Sequence, residues 1–199
     1  SDPWQEGAVL ALPSDAARHA QVRRVQPGDV VQVFDGRGLA FGAVVQTMGR
    51  REVTVRLTER VPQLQTLGCE LPLAVTLAVG MPANERMDWL VEKATELGVT
   101  RLVPLLTERT VLRLQGERAL RRVAHWQAIA AAACEQSGRD WLPVIEPVQT
   151  LNDWLAVGHE PGAPCMRIFL SLSPDASKGS ALTLGAAQSL WAVLGPEGG

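Results

Sequence analysis

The sequence predicts a small β domain followed by an α/β domain, and three observations carry that reading. The first seventy residues hold short runs of strand-forming residues separated by turn signals. Beyond a Pro- and Gly-bearing stretch at 61–71 (VPQLQTLGCEL) the period changes, and apolar strand-like runs alternate with helical ones. Last, Leu190 to Gly199 (LWAVLGPEGG) is a short apolar run that stops abruptly on Gly and Pro. Such a run reads as a buried strand whose exit loop sits at its carboxyl end, the position where open α/β sheets bind ligands.

Taken in order, Arg18 to Asp29 (RHAQVRRVQPGD) predicts a short helical turn ended by Pro27-Gly28. Val30 to Phe34 is a strand closed by the turn signal Asp35-Gly36, and strands Phe41 to Met48 and Glu52 to Leu57 follow. The second of these alternates Val53, Val55 and Leu57 against Thr54 and Arg56. This spacing suggests a small barrel or sandwich. Arg18, Arg23, Arg24, Arg37, Arg50 and Arg51 offer it a candidate basic face, although Asp15, Asp29, Asp35 and Glu52 would balance a merely solvated one.

In the second domain, Leu73 to Val79 is a buried strand broken by Gly80-Met81-Pro82, and Asn84 is expected to cap the next helix. Met87, Leu90, Val91, Ala94 and Leu97 fall on one face of that helix, and Gly98 ends it. Arg101 to Leu106 is the next strand, and Glu117 to Ser137 is a long helix with an alanine-rich middle. Val144-Ile145, a short helix from Leu151 to Val157, and strands Met166 to Leu172 and Leu190 to Leu194 complete the series. Strands alternating with helices imply a parallel sheet with helices on both faces.

Composition narrows the function classes. The sequence carries 46% hydrophobic and 20% charged residues, ordinary for a domain that buries a core. No apolar run reaches the length of a membrane span. Three widely spaced cysteines, Cys69, Cys134 and Cys165, argue against a disulfide framework and a zinc site and suit a reducing cytoplasm. A net charge of −2 gives no global attraction to nucleic acid, so RNA contact must be local. Lys93 and Lys178 are the only lysines, leaving arginine, the better bidentate phosphate ligand, as nearly all the positive charge.

Three loops are expected at the carboxyl ends of strands: Thr107-Glu108-Arg109-Thr110, Ser171-Leu172-Ser173-Pro174, and GPEGG. A fourth polar cluster, Glu135 to Arg139, ends the alanine-rich helix and reads equally as a cap with an ion pair. No GxGxxG follows a strand, and no GxxxxGK[ST], GxSxG or HExxH occurs. Two loops with backbone donors and few charges fit a neutral-to-cationic ligand with adenine and ribose better than a triphosphate.

Four stretches then resemble one family. They are Arg18 to Asp29 with Val33-Phe34-Asp35-Gly36, Glu85 to Val99 (ERMDWLVEKATELGV), Ala131 to Arg139 (AAACEQSGR), and Leu194 to Gly199 (LGPEGG). In this order, over essentially the whole chain, they are similar to the RsmE family, the SPOUT-superfamily methyltransferases of small-subunit ribosomal RNA. The resemblance implies a PUA-like β-barrel over residues 1–66 that helps hold RNA, and a SPOUT α/β-knot methyltransferase domain over 67–199. It implies S-adenosylmethionine as methyl donor, no metal, N3 of one uridine in 16S rRNA of the assembled small subunit as target, a cytoplasmic homodimer, and no membrane partner.

On the matching positions, Arg139 is the first catalytic candidate, Arg109 the second, and Glu197 a candidate for orienting the donor or removing a proton. Leu170, Ser171, Leu172, Ser173, Pro174, Leu194, Gly195, Pro196, Glu197, Gly198 and Gly199 are the candidate donor-binding residues. Arg18, Arg23, Arg24 and Arg37 are the candidate RNA contacts. Family members continue past GPEGG with the segment that threads the knot and supplies a third wall of the donor pocket. The 199 residues alone are therefore expected to leave the knot incomplete and to bind the donor weakly. The competing readings are a non-catalytic RNA-binding protein of the ribosome and, less favoured, a dinucleotide-dependent oxidoreductase, for which Gly80 to Asn84 lacks the Gly-rich fingerprint.

Overall fold

The computed structural model describes residues 4–62, 70–108, 110, 114–157, 164–171, 173, 175–177 and 183–195. The chain divides into two compact units, Ser1–Gly68 and Cys69–Gly199.

Unit 1 is a four-stranded antiparallel sheet in the order β1-β4-β3-β2, built from β1 (Val9–Ala11), β2 (Val30–Phe34), β3 (Ala40–Met48) and β4 (Val53–Arg60). Alternation decides which side is buried. Phe41, Ala43 and Val45 of β3 meet Val55 and Leu57 of β4 in the core, while Arg56 and Arg60 on β4 are exposed. The expected barrel is represented among the described strands by this four-stranded sheet. Two features went unread in the sequence. The three-residue β1 pairs with β4, Leu10 opposite Val55, and α1 (Ser14–Val22) starts four residues before the expected helical turn.

Unit 2 is a parallel sheet in the order β7-β6-β5-β10-β9, with β8 also paired to β6. Its strands are β5 (Ala74–Gly80), β6 (Arg101–Leu106), β7 (Val144–Ile145), β8 (Gln149–Thr150), β9 (Cys165–Leu170) and β10 (Ser189–Leu194). Its helices are α2 (Asn84–Glu96), α3 (Gly116–Ser137) and α4 (Leu151–Ala156). Consecutive residues feed opposite faces. Val79 and Leu102 pack with Met87, Val91, Trp126 and Ala130 of α2 and α3. Ala78, Val103 and Leu105 pack with Trp154 of α4. Helices thus cover both faces, as the alternation of elements implies. Helix α2 begins where expected, but its cap position falls on Ala83 rather than Asn84, with no side-chain cap bond.

One corner of unit 2 is pinned from outside the sheet. The Arg139 side chain, fully buried, donates to Glu70 Oε2 from Nε (3.1 Å) and Nη2 (2.8 Å). Its Nη1 donates to the carbonyls of Thr95 (2.6 Å) and Val99 (3.0 Å). Glu70 Oε1 also accepts from the Trp141 backbone N–H (3.2 Å). Beside it, Leu71 lies on Gly98, where φ is +98° and an added β-carbon would fall 2.6 Å from the Leu71 Cγ. Only glycine satisfies both demands. The first residues of unit 2 are thereby strapped to the turn between α2 and β6.

Candidate functional site

The site forms where strands end. β6 runs out through Leu105 and Leu106 into Thr107 and Glu108, and β10 runs out through Val193 and Leu194 into Gly195. Phe169 near the end of β9 and Thr150, Leu151 and Asn152 at the β8–α4 junction close the remaining sides. Together these residues line a cleft of about 360 Å³, within the usual span of small-molecule sites. Its place at the carboxyl ends of a parallel sheet follows from strand direction, because the loops leaving every strand converge on that edge.

Local hydrogen bonds fix the rim. The Thr107 backbone N–H donates to Thr110 Oγ1 (2.9 Å), and the Thr110 backbone N–H returns to the Thr107 carbonyl (3.1 Å). Thr110 is buried, so this turn is anchored from below while Glu108 remains exposed. On the opposite rim, Thr150 Oγ1 accepts the Asp153 backbone N–H (3.0 Å) and donates to Asp153 Oδ2 (2.6 Å). That closes the first turn of α4 and sets Leu151 and Asn152 against the cleft. Under the floor, Trp154 stacks on Trp191 with ring centroids 5.9 Å apart.

The lining is mostly apolar, from Leu105, Leu106, Leu151, Phe169, Val193 and Leu194. Among the described lining residues the polar groups are two hydroxyls, one carboxamide, backbone amides and one carboxylate, that of Glu108. Gly195 has no φ in the left-handed region, and an added β-carbon there meets nothing within 4 Å. Among the described residues nothing in the fold demands glycine at this position.

The expected residues distribute unevenly. Leu194 and Gly195 line the cleft. Leu170, Ser171 and Ser173 are exposed on the β9 exit, beside the lining residue Phe169, and Ser171 Oγ accepts the Ser173 backbone N–H (3.1 Å). Leu172, Pro174, Pro196, Glu197, Gly198, Gly199 and Arg109 lie outside the described residues. Arg18, Arg23, Arg24 and Arg37 are exposed on unit 1.

Arg139 lies away from the cleft of its own chain. It bonds the carbonyl of Val99, which precedes β6, whereas the cleft takes in the last residues of β6. At about 3.3 Å per residue, those points are roughly 20 Å apart along the strand. The guanidinium sits at the amino-end edge of the sheet, wholly enclosed, and is bound in an ion pair rather than facing its own chain's cleft. The alternative reading of Glu135 to Arg139 as a helix end with an ion pair describes what the residue does, although its partner is Glu70 and not a neighbour in the cluster.

Sequence reading missed Thr150, Leu151 and Asn152. Their segment reads as an ordinary short helix, and nothing in its pattern tells that β8 pairs with the end of β6. Cys134, beside Arg139, is buried, and burial pushes its thiol up to about 11, the marks of a packed rather than a reactive cysteine. Among the described residues no group of His, Cys, Asp and Glu is arranged to hold a metal ion.

Comparisons with known proteins converge on this architecture. Residues 69–199 match the family model for an RNA methyltransferase domain, and residues 12–58 match that for an RNA methyltransferase PUA domain. A curated relative from Mycobacterium bovis, ribosomal RNA small subunit methyltransferase E, is 30% identical over 205 residues, covering 97% of this chain and 72% of the relative. A relative of the same name from Synechocystis is 34% identical over 149 residues, but the match spans 74% of this chain and only 46% of that protein. Among solved structures, a ribosomal RNA small subunit methyltransferase E from Neisseria gonorrhoeae bound to S-adenosyl methionine superposes with a TM-score of 0.85 at 32% identity. That match covers 98% of this chain and 77% of the solved one.

Proposed function

We propose, from the premise that this chain belongs to the ribosomal RNA small subunit methyltransferase E family, that it methylates small-subunit ribosomal RNA with S-adenosylmethionine. The target is N3 of one uridine in 16S rRNA, reached on the assembled subunit in the cytoplasm, and the enzyme works as a homodimer with a knotted methyltransferase domain.

The observation that carries this reading is the chemistry of the cleft. Its apolar walls suit a flat aromatic base, and Thr107, Thr150 and Asn152 offer hydrogen bonds to a ribose. Glu108, the one carboxylate among the described lining residues, suits a ligand bearing positive charge. A triphosphate would meet the same carboxylate with no compensating cation among the described lining residues. When bound, the donor supplies a methyl group already activated on a sulfonium, so the protein must position and deprotonate rather than activate.

The residues divide the work accordingly. Leu194 and Gly195 bring the β10 exit against the ligand, with Pro196, Glu197, Gly198 and Gly199 continuing the same loop in sequence. Leu170 to Pro174 continue from β9 on the neighbouring side. N3 of uridine is a poor nucleophile while protonated, so a base must take that proton as N3 attacks the methyl carbon. Glu197 is our candidate for orienting the donor or accepting the proton. Arg109, next to the lining residue Glu108 in sequence, takes over from Arg139 as the cation that stabilises the imide anion. Arg18, Arg23, Arg24 and Arg37 on unit 1 hold the RNA.

The test supplies labelled S-adenosylmethionine and small subunits lacking the modification to the full-length protein, then maps the label by nuclease digestion and mass spectrometry. One methyl on N3 of a single uridine is expected. RNA binding and dimer formation without any transfer would replace this reading by that of a non-catalytic RNA-binding protein.

A further inference from the structure

We infer that the turn closing α1 and the tip of the β3–β4 hairpin form one phosphate-gripping surface, in which Arg24 is the fixed point and Arg50 and Arg51 flank it. The inference rests on the RNA methyltransferase reading and says which part of unit 1 grips the RNA backbone.

The first observation is conformational. Arg24 has φ +55°, the one non-glycine residue with positive φ among the described residues. It follows the last turn of α1, where the Arg24 N–H donates to the Gln21 carbonyl (3.0 Å) and the Val25 N–H to the Ala20 carbonyl (3.1 Å). This is the helix-closing arrangement in which glycine is the usual occupant. A side chain there crowds its own backbone, so a long cation is held where the fold alone would favour glycine. An observed outlier of this kind points to use outside the fold. The Arg24 side chain is exposed, and no hydrogen bond or ion pair engages it among the described residues.

The second observation is a tie between segments distant in sequence. Gln21 Nε2 donates to the Gly49 carbonyl (2.8 Å), holding the last turn of α1 against the β3–β4 turn. That turn presents Arg50 and Arg51, both exposed and likewise without a hydrogen-bonded partner among the described residues. The neighbouring acids weaken the patch little. Asp29 is occupied, its Oδ2 accepting the Gln26 N–H (2.8 Å), which leaves Glu52 as the acid beside Arg51. Unit 1 holds eight arginines against seven acidic residues, so attraction to a polyanion must come from such local clustering. Guanidinium groups grip phosphate oxygens bidentately, and three of them on one surface suit a nucleic-acid backbone.

The experiment measures binding of the full chain to fluorescently labelled small subunits that lack the modification, between about 50 and about 200 mM salt. It compares wild type, Arg24→Gly and the double variant Arg50→Ser, Arg51→Ser, with thermal unfolding recorded for each. Arg24→Gly is expected to raise the unfolding midpoint while weakening binding about three- to tenfold. The salt dependence, the slope of log K against log salt, should flatten by about 0.7–0.9, the loss of one phosphate contact. The double variant should flatten it about twice as much. Unchanged affinity and slope in Arg24→Gly, or a lowered midpoint, would overturn the inference while leaving the enzyme reading intact. Absence of RNA binding by the wild type would instead overturn the reading beneath it.

Discussion

Arg139 shows how far one residue's role depends on what surrounds it. In sequence it closes a segment with an amide and a carboxylate and reads equally as chemistry or as a helix cap with an ion pair. In the structure it is a buried cation with a dedicated partner, joined to Glu70 and to two backbone carbonyls. Truncating one member of such a pair leaves the other charge buried and uncompensated, at a cost of about 3–5 kcal/mol. Glu70→Ala is therefore expected to lose about that much in urea unfolding followed by tryptophan fluorescence, and Glu70→Gln less, because one amide oxygen still accepts. Cys134 adds a pH signature. Its thiol has a reference value of 9.0 and is held at about 11 when folded, by burial first, against the nearby Arg139 charge. The folded chain keeps a proton that the unfolded chain releases, so this contribution is complete below pH 9 and is lost as pH rises through 11. Lys93, whose ammonium is also raised by hydrogen bonds to Glu92 and Glu96, acts in the same direction. Comparison of Cys134→Ala with wild type across that window isolates the thiol: the variant should lose stability less steeply.

At the scale of elements, the most distinctive stretches of the sequence turn out to encode packing. Within Glu85 to Val99, Met87 and Val91 are core, Thr95 Oγ1 donates to the Val91 carbonyl, and Lys93 bridges Glu92 and Glu96. Asp88 crosses to α3, accepting from Trp126 Nε1 (3.0 Å) and bonding His125 Nε2 (2.9 Å). Helix α3 ends on Gly138 in the left-handed conformation, with Ser137 Oγ bonded to the Ala133 carbonyl. Period and end signals made these elements legible because helix propensity, capping and apolar spacing are local. The three-residue β1 and the β8 pairing were not legible, since their partners lie far along the chain. The α2–α3 tie gives its own prediction. Asp88→Ala strands the indole N–H of Trp126, a buried residue, and should cost about 1–3 kcal/mol. Asp88→Asn, which keeps an acceptor, should recover most of that in the same denaturation experiment.

At the scale of the molecule, the cleft was half legible. Its β10 side was readable from an apolar run stopping on glycine and proline, and its β6 side from a polar turn after a strand. The side made by Thr150 to Asn152 arises only when β8 closes on β6, a pairing of residues more than forty positions apart. Among the described residues the assembled walls create a mostly apolar site with one charge, and that asymmetry is testable without turnover. S-adenosylmethionine carries a sulfonium, and S-adenosylhomocysteine, of nearly the same shape, does not. A carboxylate on the rim should favour the cation modestly, because Glu108 is exposed and water screens it. Glu108→Gln preserves shape and removes the charge, so it should weaken S-adenosylmethionine about three- to tenfold, up to about 1.4 kcal/mol, while leaving S-adenosylhomocysteine nearly unchanged. Calorimetric titration of both ligands into both proteins measures the ratio directly. Equal losses for the two ligands would mean that Glu108 shapes the β6 turn and does not select for the charge of the ligand.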